Sequence, residues 1–366
     1  NGNKKFSLSS NNHTYTLKNK DTLMVSDEIS FGIQVNDKLN GANNSNGVYS
    51  IRLFRDQKEV FSWEADMFSF SETRYINAFI DYEEYKKNKR RFVMTKKLPG
   101  NHLSTYKHKN QNGIYRSNVG DVHHWRYEIS DYKKNKITLS FITKTINQQE
   151  TLTKDTFCNG YQINYNKAQK ITEGDLTLSF PKNALYEDFL MSIITDTVAT
   201  PTKSYYIGDE YIPIHKPFKI ATQQIPYSKT LYPKLVWALF NKKEDNYTAI
   251  STTLKDGILT GKSRQFGLYT ILPDTVAPSI KVLHKAELKS GKTKTVKVKI
   301  KDELSGIKTY KLMVNDNWVL AEYDPKKDLL IYDIDRHSKK GKNKATCIVV
   351  DSVGNETREH FIFIKH

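Results

Sequence analysis

The run Val296-Lys297-Val298-Lys299-Ile300-Lys301 constrains this chain more than any other stretch. Three β-branched residues alternate with three lysines, the period-two pattern of a strand with one apolar and one solvated face. Similar runs recur at Tyr49-Ser50-Ile51-Arg52-Leu53-Phe54, Ile137-Thr138-Leu139-Ser140-Phe141-Ile142, Leu176-Thr177-Leu178-Ser179-Phe180 and Thr346-Cys347-Ile348-Val349-Val350. Turn residues punctuate them at Asn40-Gly41, Asn112-Gly113, Asp256-Gly257 and Val353-Gly354-Asn355. Short strands at this spacing predict β-sandwiches. An aromatic content of 12% agrees, because aromatic and β-branched side chains suit a pleated, half-buried surface. One stretch, Tyr82 to Arg91, is predicted as a short surface helix, with glutamates before lysines and arginines.

With 366 residues, the chain exceeds one ordinary core. The fold class expected is all-β: three consecutive β-sandwiches at residues 1–148, 149–273 and 274–366. The sharpest boundary is Leu272-Pro273-Asp274-Thr275-Val276-Ala277-Pro278, where each proline restricts the residue before it. A softer one lies near 143–160. The net charge of +17 divides as about +8 over residues 1–150, +2 over 151–275 and +7 over 276–366. The first and third units also share a pattern. Ile129-Ser130-Asp131 through Asn135-Lys136-Ile137 aligns with Val349-Val350-Asp351 through Asn355-Glu356-Thr357. Each reads as strand, aspartate-led turn, strand, with the carboxylate bonding turn amides.

The charge would suit acidic polymers, but lysine on outward strand positions also keeps sheet edges from pairing. No helix-turn-helix, zinc-finger or RRM pattern accompanies it, so no specific nucleic acid is expected. No stretch reaches the roughly 18 apolar residues of a membrane helix. Two cysteines exclude a disulfide-dense scaffold, and Cys347 reads as a small core residue. The chain opens on Asn1 without a leader, which reads as a processed or excised product.

Catalytic chemistry finds little support. His123 and His124 are adjacent, and on a strand they point to opposite faces, so they are poor co-ligands for zinc. Gly-x-Ser-x-Gly, papain-like, P-loop and Rossmann patterns are absent. Glu83-Glu84 and Asp302-Glu303 read as turn or solvated positions. Trp63, Trp125, Trp237 and Trp318 are spread over all three units and read as core anchors, with sugar stacking as the alternative. No catalytic residue, metal ligand or cofactor is therefore expected in this chain.

The densest unusual segment is Phe68-Ser69-Phe70-Ser71-Glu72-Thr73-Arg74-Tyr75-Ile76-Asn77-Ala78-Phe79-Ile80-Asp81-Tyr82. It follows Gly47-Val48-Tyr49-Ser50-Ile51 and precedes Leu98-Pro99-Gly100-Asn101-His102-Leu103-Ser104. This order resembles the immunoglobulin-like region downstream of the catalytic domain in large lysostaphin-type (LytM-like) zinc endopeptidases of Gram-negative envelopes. The likeness is strongest over residues 30–145. It continues through Phe180-Pro181-Lys182-Asn183-Ala184-Leu185-Tyr186, which is similar to ZU5-like sandwiches, and Asp274 to Pro278 resembles the linker opening bacterial immunoglobulin-like modules. The family's His-x-x-x-Asp and His-x-His ligands do not occur here, so zinc is expected only in an upstream catalytic domain. The resemblance implies an accessory region that positions or regulates a peptidoglycan-cleaving domain in the envelope, periplasmic or surface-exposed. Expected partners are that domain and an acidic envelope polymer such as peptidoglycan. The rival reading is a stand-alone glycan-binding or adhesion protein. Within the segment, Arg74, Tyr75, Asn77, Asp81 and Tyr82 form the expected docking surface; the alternative pairs Arg74 with Asp81 internally.

Overall fold

The computed structural model describes residues 4–38, 41, 44–147, 160–196 and 203–366. Cys158 and the expected boundary at 148/149 lie outside the described residues. The chain divides into two compact units. The first comprises Asn1–Gln169, Phe180–Ser192 and Asp209–Pro217; the second comprises Lys170–Ser179, Ile193–Gly208 and Phe218–His366.

In the first unit one large sheet runs Leu8–Asn11, Thr14–Leu17, Lys136–Thr145, Val122–Ser130, Ser50–Arg55, Lys58–Glu64, Tyr106–Lys109, with Thr22–Val25 parallel to Lys136–Thr145. Along Ser50–Arg55, Ile51 and Leu53 are fully buried as the alternation predicts, while Phe54, past a register shift, is buried as well. Ile51 and Leu53 pack with Phe61, Trp125, Tyr127, Ile129 and Phe141. Packed on this sheet are short pairings, among them Glu28–Ile29 with Tyr115–Arg116 and Gly32–Ile33 with Val93–Met94. A 3₁₀ run at Phe70–Ala78 and a helix at Tyr82–Asn88 accompany them. That helix stops short of Arg91 because Lys89 turns left-handed at φ 59°.

The second unit holds two five-stranded sheets and two four-stranded sheets. In the five-stranded pair, Trp237 is wholly buried and donates Nε1–H to the Leu259 carbonyl at 3.0 Å. The strands Ser251–Lys255 and Ile258–Ser263 join through Asp256 (φ 51°) and Gly257 (φ 75°), both positive as a tight hairpin requires. In the four-stranded pair, Val296, Val298 and Ile300 are buried on Thr295–Lys301 while the lysines between them face out. Cys347 is fully buried there, and burial pushes its thiol pKa up to about 12.

The sequence repeat is a structural one. Ser50–Arg55 pairs with Val122–Ser130, which turns into Lys136–Thr145; Ile307–Val314 pairs with Gly341–Asp351, which turns into Glu356–Lys365. Asp131 Oδ1 accepts the Asn135 amide at 2.9 Å, and Asp351 Oδ1 accepts the Asn355 amide at 2.8 Å. In each, the asparagine Nδ2 returns a bond to the same carboxylate. The molecule is all-β, built from multiple immunoglobulin-like sheets.

Candidate functional site

The segment from Asp66 to Asn88 is irregular because its side chains are engaged by distant parts of the first unit. Ser69 starts the 3₁₀ run, its Oγ accepting from the Ser71 amide at 3.3 Å. Glu72 receives Ser104 twice, from N at 2.9 Å and Oγ at 2.8 Å, and the Ser104 amide bond holds its carboxyl below the usual range. Asn101, fully buried, donates Nδ2–H to the Tyr75 carbonyl at 3.2 Å and to Tyr106 Oη at 3.2 Å. Tyr186 donates its hydroxyl to the Arg74 carbonyl at 2.7 Å.

Two motifs named from the sequence thus meet. Gly100, in the Leu98–Asn101 turn, donates its amide to the Tyr186 carbonyl at 2.7 Å. A Cβ at Gly100 would lie 2.9 Å from Tyr186 Cα, so glycine is what lets the two backbones touch. Tyr75 stacks on His215 with centroids 4.4 Å apart and planes 16° from parallel, and packs edge-on to Tyr186.

This placement redistributes the five expected docking residues. Tyr75 is spent inward on His215 and Tyr186, so it is a fastening rather than an outward anchor. Asp81 caps the helix Tyr82–Asn88, accepting the Glu84 amide at 3.0 Å. Tyr82 is half-buried, and desolvation raises its pKa. Asn77, Asp81 and Tyr82 share a groove of about 990 Å³ in the first unit, which Arg90, Lys96 and Tyr211 also line. Arg74 stands exposed outside it.

Apolar side chains are exposed along this segment too, among the exposed Ser69, Ser71, Thr73 and Arg74. Phe70 is 97% exposed and Met67 82%, with Phe68 and Ile76 also exposed beside them. Monomeric surfaces carry isolated apolar residues as a matter of course; four exposed within ten residues concentrate apolar surface in this segment. The sequence did show these residues, but the alternation that marks a strand's outer face is missing there, so nothing local announced which ones point out.

A second constellation was not legible at all. Asp274, Asp302 and Asp351 each bring one oxygen within 4.8 Å of the others. Asp274 and Asp351 are buried, and none of the three has a cationic side chain as partner among the described residues. Asp302 accepts the Leu304 and Gly306 amides at 3.2 and 2.7 Å, and Asp274 accepts the Ser305 amide at 3.1 Å. Burial, chiefly, raises the Asp302 pKa, with the neighbouring Asp274 and Asp351 adding to it. Such all-oxygen donor sets suit hard cations. The sequence does not group these three residues, which stand 28 and 49 positions apart.

The histidines behave as strand residues. His123 Nδ1 bonds Asp56 Oδ2 at 2.7 Å, while His124 next to it is exposed. Of the tryptophans, Trp125 and Trp237 are core anchors, Trp63 is half-buried, and Trp318 is 59% exposed. Trp318 follows the turn at Asn315 (φ 49°) and Asp316 (φ 66°) and lands on the outward side of its strand.

Comparison with known proteins bears on this architecture. Residues 160–274 match the family model described as Zu5-like domain. No curated protein matches the chain. Among solved structures, fibronectin(III)-like modules of Clostridium thermocellum CbhA align at 16% identity, covering 41% of this chain and 86% of theirs, with a TM-score of 0.20. The central fibronectin-III array of RIM-binding protein aligns at 7% identity over 94% of this chain and 100% of its own, at 0.18. A 1.5-MDa bacterial ice-binding adhesin aligns at 8% identity over 88% and 87%, at 0.16. No helix among the described residues is long and apolar enough to cross a membrane.

Proposed function

We propose that this chain is the non-catalytic accessory region of a peptidoglycan-cleaving zinc endopeptidase of the cell envelope, and that the Met67–Ile76 ridge receives the catalytic domain. The observation that carries this reading is a nearly fully solvated Phe70 with exposed Met67 in a segment that Ser104 holds at the Glu72 carboxylate and that Asn101 and Tyr186 hold at the Tyr75 and Arg74 carbonyls. A rigid apolar ridge loses little entropy on binding, which is how a few aromatic anchors come to dominate an interface. The resemblance of the surrounding segments to the lysostaphin-type accessory region supports this choice of partner. Arg74, exposed at the ridge, supplies a polar rim.

The test is calorimetric titration of this chain with the lysostaphin-type catalytic domain of the same protein. Phe70→Ser and Met67→Ser are expected to weaken binding by about tenfold or more each, the equivalent of ~1.4 kcal/mol. Val119→Ser, an exposed apolar residue elsewhere in the unit, is expected to leave it unchanged. Equal affinity of all three variants and wild type would sink the proposal.

A further inference from the structure

The outward face of the last four-stranded sheet carries a feature the docking ridge does not explain. Register places Trp318, Met313, Thr346 and His360 side by side across four strands. At about 4.8 Å per strand the row spans roughly 14 Å. Thr346 Oγ1 and His360 Nδ1 share a hydrogen bond at 2.9 Å, fixing the polar end of the row opposite the indole. Lys311 flanks it on one side and Lys344 on the other, each two residues along its strand from the row. Both lysines are exposed, and neither makes a salt bridge among the described residues, whereas the nearby Arg358 is paired with Glu356.

We infer that this face binds an anionic polysaccharide, one carrying carboxylates on its rings. The exposed indole offers an apolar plate for the C–H face of one sugar. Met313 stands one strand from the indole and the hydroxyl and imidazole groups two and three strands away, within reach of later rings. The two lysine ammonium groups, without a salt bridge among the described residues, stand where ring carboxylates would project on either side. The charge decides the partner: an apolar protein surface would leave both lysines desolvated and unmatched, and a neutral glycan would leave them idle. A single-stranded nucleic acid would want successive aromatic platforms along its path. Here the row has one ring at one end and a threonine–histidine pair at the other. This inference is independent of the docking reading, since it lies in the second unit and uses none of the ridge residues.

The experiment is affinity electrophoresis of the full chain through gels containing alginate, with dextran as the neutral comparison, over a salt series. Alginate is expected to retard the protein and dextran not to. Trp318→Ala is expected to weaken retardation about tenfold, and the pair Lys311→Glu and Lys344→Glu to abolish it. Trp318 and both lysines are exposed, so circular dichroism and melting should stay those of wild type, and a variant that fails this check is replaced by Trp318→Gln. Retardation that survives Trp318→Ala but vanishes in the lysine pair marks diffuse charge attraction and overturns the inference. Tighter binding of oligo(dT), or of phosphatidylglycerol vesicles, lost in the same variants, overturns it as well.

Discussion

Replacing Gly100 by alanine tests the joint that fixes the ridge. The added methyl would sit 2.9 Å from both Cα and O of Tyr186 and 3.0 Å from the Leu185 carbonyl oxygen. All three neighbours are backbone, so no side-chain rotation relieves the contact. The turn and the Leu185-Tyr186 backbone must separate by several tenths of an ångström, stretching the 2.7 Å bond from the Gly100 amide. Overpacking of this kind costs about 1–3 kcal/mol, and a weakened buried hydrogen bond up to ~1 more, for a total of about 1–4 kcal/mol. Because Tyr186 also bonds the Arg74 carbonyl and packs on Tyr75, the loss should reach the ridge. Urea unfolding measures the global cost, and hydrogen exchange at residues 74–78 reads the local loosening. Gly47→Ala is the control, since a Cβ there meets nothing within 4 Å, and it should stay within about 0.5 kcal/mol of wild type. A Gly100→Ala protein as stable as the Gly47→Ala protein would refute the reasoning.

Asp335 gives a pH test. Its bond to His337 at 2.8 Å, with further bonds from the His337 amide and Tyr332, holds its pKa down at about 2. A depressed carboxylate stabilises the fold above the unfolded value near 3.9, and that contribution drains away as pH falls toward 2. The deficit of Asp335→Ala in urea should therefore be constant from neutrality to about pH 5 and shrink below it; a deficit that grew with acid would contradict this. Cys347, buried with its thiol pushed up to about 12, should resist Ellman's reagent at pH 8 in the native chain and react once urea unfolds it. Prompt reaction of its thiol under native conditions would show the strand Gly341–Asp351 opening more readily than its core position permits.

Local patterns carried the strands and turns. Val296, Val298 and Ile300 alternate with lysine, and the alternation alone predicts which face is buried. The aspartate turns at Asp131 and Asp351 were legible for the same reason, since acceptor and donor lie four residues apart. The helix at Tyr82–Asn88 followed from its charge order, and only its end moved. Long-range partners were invisible. Tyr75 reads as an anchor until His215, 140 positions later, is found stacked on it. The three aspartates, at the ends of strands in three different sheets, come together in a way that no spacing encodes. Trp318 reads as core because tryptophan usually is; the two-residue turn at Asn315-Asp316 pairs it with Met313 and sets its side.

The order in which residues join the two units has a consequence for synthesis. The polypeptide leaves the first unit after Gln169, returns at Phe180, leaves again after Ser192 and comes back for Asp209–Pro217. A nascent chain emerging from the ribosome therefore cannot close its N-terminal half until Pro217 has cleared the exit tunnel, however well the big sheet has formed. Until then Gly100 and Tyr75 wait for partners not yet made, and a gene truncated near residue 150 would yield a half with its own fastenings missing.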